Sequence, residues 1–366
     1  MSKPSKILLL GDVNSIHLHK WILALKDHFQ VLVFSFDALQ KQYQWIAELD
    51  GVELQYAHQN TSNSKNVFTY LKQVRQLKAF YKRHQPDITH AHYATSYGML
   101  GALCRPKNYC ISAWGTDVYL FPKTSPIHRI IFKWIIGRAD YLFATSNPLA
   151  NELKHYTSKP IQVIPFGIDT QLFAPNENIQ KQDVFTVGTV KGLDLIYGID
   201  RLIDAFAVFH KKYPDSQCVI YGKGPHQQQF EQQIKDLGLT DKILLKGFVE
   251  NTEVPAVLKT FDVYCALSRS ESFGVAVIEA SACELPVIVS NIGGLTEVVL
   301  EQETGFIVDA ENQNEIVNRL EKLYNNKELR RQLGKNGRYF VSKHYEWSLN
   351  AEEQRAIYDQ ILNKDN

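Results

Sequence analysis

The stretch from Val263 to Val299 does most to restrict what this chain can fold into. A short apolar run, Val263 to Leu267, gives way to a polar loop carrying Glu271 and then Gly274. A helical segment follows that is apolar throughout except for Glu279. A second apolar run, Pro286 to Val289, leads to another glycine-bearing loop, Asn291 to Gly294, and to another helix. Short apolar runs that alternate with helices read as strands buried on both faces of a parallel sheet. A helix that opens behind small residues presents backbone N–H groups suited to an anion. An acid within an apolar helix is costly to bury without a partner, so Glu279 is expected to face a polar ligand or an open edge. For either glutamate alone a solvated loop or rim would suffice, but the whole order of strand, acid, glycine, helix, acid, strand and glycine pair points to a site.

The same alternation runs through the chain. In the first half, strands are expected at Lys6–Leu10, Val31–Phe36, Val52–Tyr56, Ile88–Tyr93, Tyr109–Ala113, Tyr141–Ala144 and Ile161–Ile164. Helices are expected at 15–29, 67–84 and 127–139, with another opening at Ser146-Asn-Pro148, and a polar loop at 60–65. Composition shifts after Pro165-Phe-Gly-Ile-Asp169, in a polar stretch to Asp183 that reads as a linker. The second half restarts with strands at 184–187, 218–221, 243–245, 263–267, 286–289 and 306–308. Its helices are expected at 199–213, 227–237, 254–260 and 347–362, with more than one helix within 311–333. The organisation expected is α/β, two doubly wound Rossmann-like domains: 1–165, 166–346, and a final helix over 347–366 crossing back to the first. Two such domains facing each other would leave a central cleft.

Composition narrows the function classes. The 366 residues carry a formal charge of +1, which gives no basis for bulk nucleic-acid binding. The twelve histidines show no metal-ligand spacing, and the five cysteines are odd in number and form no disulfide framework. The apolar run behind the first residues is too short for a signal-peptide core, and no run of about 18 apolar residues occurs. A cytoplasmic protein is expected, with peripheral attachment at the inner face of a membrane left open. Two segments bear on that attachment. Helix 67–84 carries Lys72, Arg75, Lys78, Lys82 and Arg83, either a solvated face or a contact for an anionic membrane. Segment 127–139 interleaves His128, Arg129, Lys133 and Arg138 with apolar residues, and reads as a core-packing helix with one basic edge ahead of an interfacial one.

Ligands of doubly wound sheets bind beyond the carboxyl ends of the strands. In the second half those positions hold Gly188 to Lys191, Gly222 to Gly224, Gly247 to Val249, Glu271 to Gly274 and Gly293-Gly294. Glycine lets backbone approach a phosphate, lysine neutralises it, and an acid takes a pair of hydroxyls. That combination suits a nucleotide diphosphate carrying a sugar. In the first half the matching positions are Gly11 to His17, including Asn14, then His92, and then Trp114 to Asp117. Each histidine could equally be a packed or surface residue. Several signatures are missing: the phosphate loop of kinases and ATPases, Gly-x-Gly-x-x-Gly after the first strand, the Asp-x-Asp pair that holds a divalent metal on a sugar nucleotide, and the Gly-x-Ser-x-Gly nucleophile elbow.

These residues resemble a known family. Glu271-Ser-Phe-Gly-Val-Ala-Val-Ile-Glu279 is similar to the Glu-x7-Glu motif of retaining glycosyltransferase family 4, which has the GT-B fold. Val163 to Asp169, Asp200 to Phe206, Tyr221 to Pro225, Leu237-Gly-Leu239, Gly247 to Val249, Gly293 to Glu297 and Thr304-Gly-Phe306 resemble further family segments in order. The resemblance covers the second half strongly and the first loosely. It implies that Glu271 contacts the donor sugar and Glu279 the ribose. The amides of Phe273, Gly274 and Val275 would hold sugar and diphosphate, with Phe248 and Val249 beside the base. Lys191 matches the first of two cations that neutralise the diphosphate, and Gly222 and Lys223 lie in the adjacent loop. The second cation falls where Ile196 and Tyr197 stand; Lys223 or Lys246 could substitute. A family His-Gly-Ser-Asp loop reads Trp114-Gly-Thr-Asp117 here.

The function this implies is metal-independent, cofactor-free sugar transfer with retention. The donor would be a nucleotide-diphosphate sugar, a UDP-sugar first, and the acceptor a glycan or lipid-linked glycan in surface polysaccharide or glycoconjugate synthesis. Gly11, Asn14, His17, His92, Trp114 and Asp117 are the acceptor-side candidates. Two alternatives stay open: a GT-B protein of weak or lost activity that partners another transferase, and a GT-B isomerase of a UDP-sugar.

Overall fold

A computed structural model describes residues 4–57, 67–175 and 184–364. The loop expected over 60–65 and the stretch 176–183 lie outside the described residues. The chain divides into two compact units, Met1–Phe166 with Ser348–Asn366, and Gly167–Trp347.

The first unit holds seven strands: β1 (Lys6–Leu10), β2 (Gln30–Ser35), β3 (Val52–Tyr56), β4 (Ile88–His92), β5 (Tyr109–Ala113), β6 (Tyr141–Ala144) and β7 (Ile161–Val163). They form one parallel sheet ordered β3-β2-β1-β4-β5-β6-β7. The order reverses between β1 and β4, and Ile7 pairs with Ile88 and Leu10 with Ala91 there. Leu8, Leu10, Leu32, Phe34, Ala91 and Ile111 form one core with Val74, Leu77 and Phe80 of helix Val67–His84. Leu100 of helix Ser96–Cys104, and Phe132, Ile135 and Ile136 of helix Pro126–Arg138, complete that core. These three helices therefore cover one sheet face, with Ser96–Cys104 packed against the other two. Helix Ser96–Cys104 was not expected, because Gly98 and Gly101 interrupt its apolar pattern.

Helix Pro126–Arg138 departs from the core-packing reading. Phe132, Ile135 and Ile136 point inward, but Ile127 and Ile130 are each 68% exposed and Trp134 is 38% exposed. Its inward stripe is narrow, and three large apolar side chains lie on its outer surface. The final helix, Trp347–Asn363, has its residues from Ser348 onward in this unit. Tyr358 and Ile361 are buried, the Tyr358 hydroxyl meets Nδ1 of buried His90, and Asn350 donates to the Pro165 carbonyl at 3.1 Å.

The second unit has β8 (Phe185–Val190), β9 (Ser216–Tyr221), β10 (Ile243–Gly247), β11 (Val263–Ala266), β12 (Val287–Ser290) and β13 (Gly305–Val308). All pair in parallel, in the order β10-β9-β8-β11-β12-β13, reversing between β8 and β11. Helix Ile199–Lys212 buries Leu202, Ile203, Phe206 and Phe209 against Val187, Ile220 and Cys265. The helices expected within 311–333 are Gln313–Asn325 and Lys327–His344, the second running eleven residues beyond the expected end. Asn326 separates them; its side chain accepts from the Leu329 amide at 2.9 Å and so starts the second helix as an N-cap. The five cysteines are free, four of them buried. Among the described residues no helix is long and apolar enough to cross a membrane.

Candidate active site

In an open parallel sheet a crevice forms where the connections of two adjacent strands leave to opposite faces. In the second unit that position lies between β8 and β11. Lys191 follows β8 and Glu271 stands in the loop after β11. Both side chains are 13% exposed, and the Lys191 ammonium pairs with the Glu271 carboxylate. The lysine also stands 4.7 Å from the centre of the Tyr197 ring. Burial acts to lower its pKa, but Glu271, Tyr264 and Tyr197 outweigh burial and raise it, so Lys191 is a cation at neutral pH.

The loops at this edge pack through glycine. Gly222, at φ +150°, lies so close to the Lys191 carbonyl that a Cβ would overlap it, and its amide donates to the Gly247 carbonyl at 2.7 Å. The Lys191 amide donates to Tyr221 at 2.9 Å, and the Leu193 amide to Lys223 at 3.1 Å. Lys223 reaches over the ring of Phe248, which is 57% exposed, with 5.9 Å between ammonium and ring centre; half-buried Val249 follows. An exposed aromatic ring beside a cation, on a loop at a strand end, is a platform on which a base can stack.

Gly293 and Gly294, expected to present ligand-facing backbone, serve the loop above them. Gly293 has φ +49°, and a Cβ there would overlap the Glu271 carbonyl; a Cβ on Gly294 would overlap the backbone of Phe273. The Gly294 amide donates to the Glu271 carbonyl at 3.0 Å. The pair lets the loop after β12 support the loop that carries Glu271. The Phe273 side chain is buried against Tyr345, with ring centres 5.4 Å apart, and is withdrawn from any ligand. Gly274 caps helix Val275–Ala282 with φ +114°, and the first amides of that helix precede its internal hydrogen bonds. Glu279 is half-buried on the same helix and lies near Tyr264. Tyr264 donates to the Val190 carbonyl at 3.2 Å, and burial pushes its pKa up to about 12.

The position where a second cation was expected is occupied differently. Ile196 carries no charge, and Tyr197 stacks on Lys191. Arg269 is near, but its guanidinium forks onto Asp200 at 2.6 and 2.8 Å and also donates to the Leu195 carbonyl. Sequence reasoning passed over Arg269 and Tyr264, and it treated Tyr197 only as a missing cation. Their signal was position, since Arg269 also stands on a strand-end loop.

In the first unit the equivalent reversal lies between β1 and β4, and it gathers part of the expected set. Gly11 follows β1 beside the Cβ of His92. His92 ends β4 with its ring 4.5 Å from that of His90 and 5.5 Å from Trp114. His17 lies 5.8 Å from Trp114 and 4.2 Å from Phe166, a neighbour the sequence reading missed. Neither ring nitrogen of His92 has a hydrogen-bond partner. Burial lowers its pKa to about 3; burial and, secondly, Lys20 lower that of His17 to about 4. Both imidazoles are neutral at physiological pH and can exchange hydrogen bonds with hydroxyls.

Asn14 and Asp117 are engaged elsewhere. The Asn14 amide bridges Gln40 at 2.8 Å and Ala38 at 3.1 Å. The buried Asp117 carboxylate accepts from the amides of Ala94 and Gly115, both at 2.7 Å, and of Trp114 at 3.2 Å. These two residues fix the loops on which they stand. Among the described residues no cluster of three or more His, Cys, Asp or Glu could hold a metal ion.

Comparison with known proteins agrees with this layout. The profile of group 1 glycosyl transferases matches residues 171–340, and that of glycosyl transferase 4-like proteins matches residues 6–146. An uncharacterized glycosyltransferase of Methanocaldococcus jannaschii is 29% identical over 278 residues, covering 75% of this chain and 76% of that protein. The sucrose-phosphate synthase of Thermosynechococcus elongatus superposes with a TM-score of 0.85 at 22% identity, over 98% of this chain and 100% of that one. HepE of Anabaena, solved in complex with UDP-glucose, superposes at 0.79 with 19% identity, over 97% of this chain and 99% of that one. The two matched profiles, one in each half, and the GT-B architecture of two parallel-sheet units place the chain among the group 1 glycosyltransferases.

Proposed function

We propose that the chain transfers a sugar from a UDP-sugar to a glycan or lipid-linked glycan, with retention at the anomeric carbon and without a metal, in glycoconjugate synthesis on the cytoplasmic side of a membrane. The observation that carries this reading is the Lys191–Glu271 pair at the β8/β11 reversal, beside the helix that starts at Gly274. The donor diphosphate would replace the Glu271 carboxylate as partner of Lys191. Glu271 would then be released to accept hydrogen bonds from the sugar hydroxyls. As the bond from anomeric carbon to phosphate oxygen breaks, charge collects on the diphosphate. Lys191 and the amides of Gly274 and Val275 are fixed donors for that charge, which is the function a divalent metal would otherwise serve. Glu279 would take the ribose hydroxyls, and Phe248 with Val249 the base. The UDP-glucose held by the similarly folded HepE supports a uridine nucleotide. The acceptor hydroxyl would enter on the face the diphosphate leaves and pass its proton to that phosphate; His17, His92 and Trp114 of the first unit are the candidates for holding the acceptor glycan.

The test is incubation of the purified chain with UDP-sugars and glycan acceptors in excess EDTA. Release of UDP with a product of retained configuration is expected. An inverted product, or full turnover by Glu271→Ala, would overturn the reading. Tyr197 in the place of a cation favours one second reading, a weakly active partner of another transferase. Calorimetry separates the two, since that reading requires weak or absent UDP binding. Turnover of the donor without any acceptor would instead identify an isomerase.

A further inference from the structure

The helix layer of the first unit carries an uneven distribution of charge. Helices Val67–His84 and Pro126–Arg138 together contain eight lysines and arginines and no acid. The whole chain is nearly neutral, with 40 basic and 39 acidic residues. The five cations of Val67–His84 are all exposed, as are Arg129, Lys133 and Arg138. Both helices contribute to one core on one sheet face, so their outer surfaces belong to one layer.

On helix Pro126–Arg138 the charges frame an apolar stripe. At 100° per residue, Ile130 lies centrally on the outer arc, Trp134 and Ile127 beside it, Arg129 and Lys133 along one edge and Arg138 on the other. The Arg138 guanidinium lies 5.4 Å from the Trp134 ring centre. Two isoleucines at 68% exposure side by side, one turn from a tryptophan, are an unusual patch for a surface in water. Apolar side chains with an indole, flanked along their own helix by cations, match a bilayer interface. We infer that this layer docks on an anionic phospholipid surface, with Ile127, Ile130 and Trp134 entering the headgroup region and the cations of both helices meeting lipid phosphates. A second copy of the chain is a poorer occupant, because two such faces would bring like charges together. The inference does not rest on the sugar-transfer reading, since its test uses no substrate.

The test is sedimentation of the full chain with phosphatidylcholine vesicles and with phosphatidylcholine–phosphatidylglycerol vesicles. Binding is expected to the anionic vesicles only, and to fall as salt rises. Lys133→Glu should weaken the partition by at least about fivefold. Ile130→Ser should weaken it by roughly tenfold or more, the effect of removing one buried aliphatic side chain. The fluorescence of the wild-type chain should shift to the blue on binding, and Trp134→Phe should lose most of that shift. Because these side chains face outward, unchanged melting temperatures serve as the control for folding. No binding to anionic vesicles, equal binding to both kinds, or unchanged binding by Ile130→Ser would overturn the proposal. So would a dimer in solution that Ile130→Arg converts to monomer.

Discussion

Lys191 and Glu271 each sit where the other compensates for burial. Removal of one leaves a largely buried charge without its partner, which is more damaging than the loss of a surface ion pair. Lys191→Ala is therefore expected to lower the melting temperature as well as the affinity for UDP. It should reduce turnover on a UDP-sugar by about 100-fold or more, the scale seen when one fixed donor to a developing anion is deleted. Lys191→Met, similar in length but uncharged, would lose turnover equally if charge is what matters; isothermal titration with UDP and initial rates distinguish the two contributions.

His92 gives a second prediction at this scale, with a definite sign. Its folded pKa, about 3, lies below the unfolded value near 6.5, so the unfolded chain binds the proton first as pH falls. The stability that neutral His92 allows is present above pH 6.5 and is lost progressively towards pH 3, at about 1.4 kcal/mol per pH unit for a single group. His17, lowered to about 4, acts in the same direction. Thermal melts from pH 7 to pH 4 should fall, and His92→Leu should flatten the fall without a large loss at pH 7, because no hydrogen bond is broken. This pair also marks how far the sequence could be read. A histidine at a strand end and another at the start of a helix were visible, but the ring contacts that enclose them come from Trp21, Trp114 and Phe166, which the sequence does not place beside them.

At the level of elements, the loop after β11 is held by the loop after β12. A side chain at Gly293 meets two obstacles, a left-handed φ of +49° and the Glu271 carbonyl. Gly293→Ala should therefore displace the Glu271 loop and cost roughly 1–3 kcal/mol of stability. It should also weaken UDP binding, although residue 293 carries no functional group; a melt together with calorimetry reads both. The helix break at Asn326 is a milder case. Asn326→Ala removes one N-cap and should cost about 1 kcal/mol, with donor binding unchanged. Strands and most helices were legible because their apolar runs and 3.6-residue periods are local. More than one helix was legible within 311–333, but the position of the break at Asn326 was not, because both flanking helices keep an amphipathic pattern through it. The outward isoleucines of Pro126–Arg138 were not legible either, because an apolar residue looks the same in sequence whether it faces a core or a membrane.

For the whole molecule, the two sheets repeat one principle with different chemistry at the reversal: a charged pair in one unit, neutral aromatic and imidazole rings in the other. The carboxyl terminus ties the chain order to that division. Residues after Trp347 belong to the first unit, where Tyr358 satisfies buried His90 and Ile361 joins the core. Deletion from Ser348 onward would strip the first unit of a buried helix and leave His90 Nδ1 without its partner. Loss of a buried hydroxyl partner together with two large buried side chains is worth several kcal/mol, enough to unfold a domain of ordinary stability. Limited trypsin digestion of the truncated chain is therefore expected to cut within the first unit and to leave Gly167–Trp347 protected, with UDP binding retained by that fragment. Tyr358→Phe, which removes only the hydroxyl, should give an intermediate melting temperature. If truncation destabilised the second unit first, the assignment of the last helix to the amino-terminal sheet would be wrong.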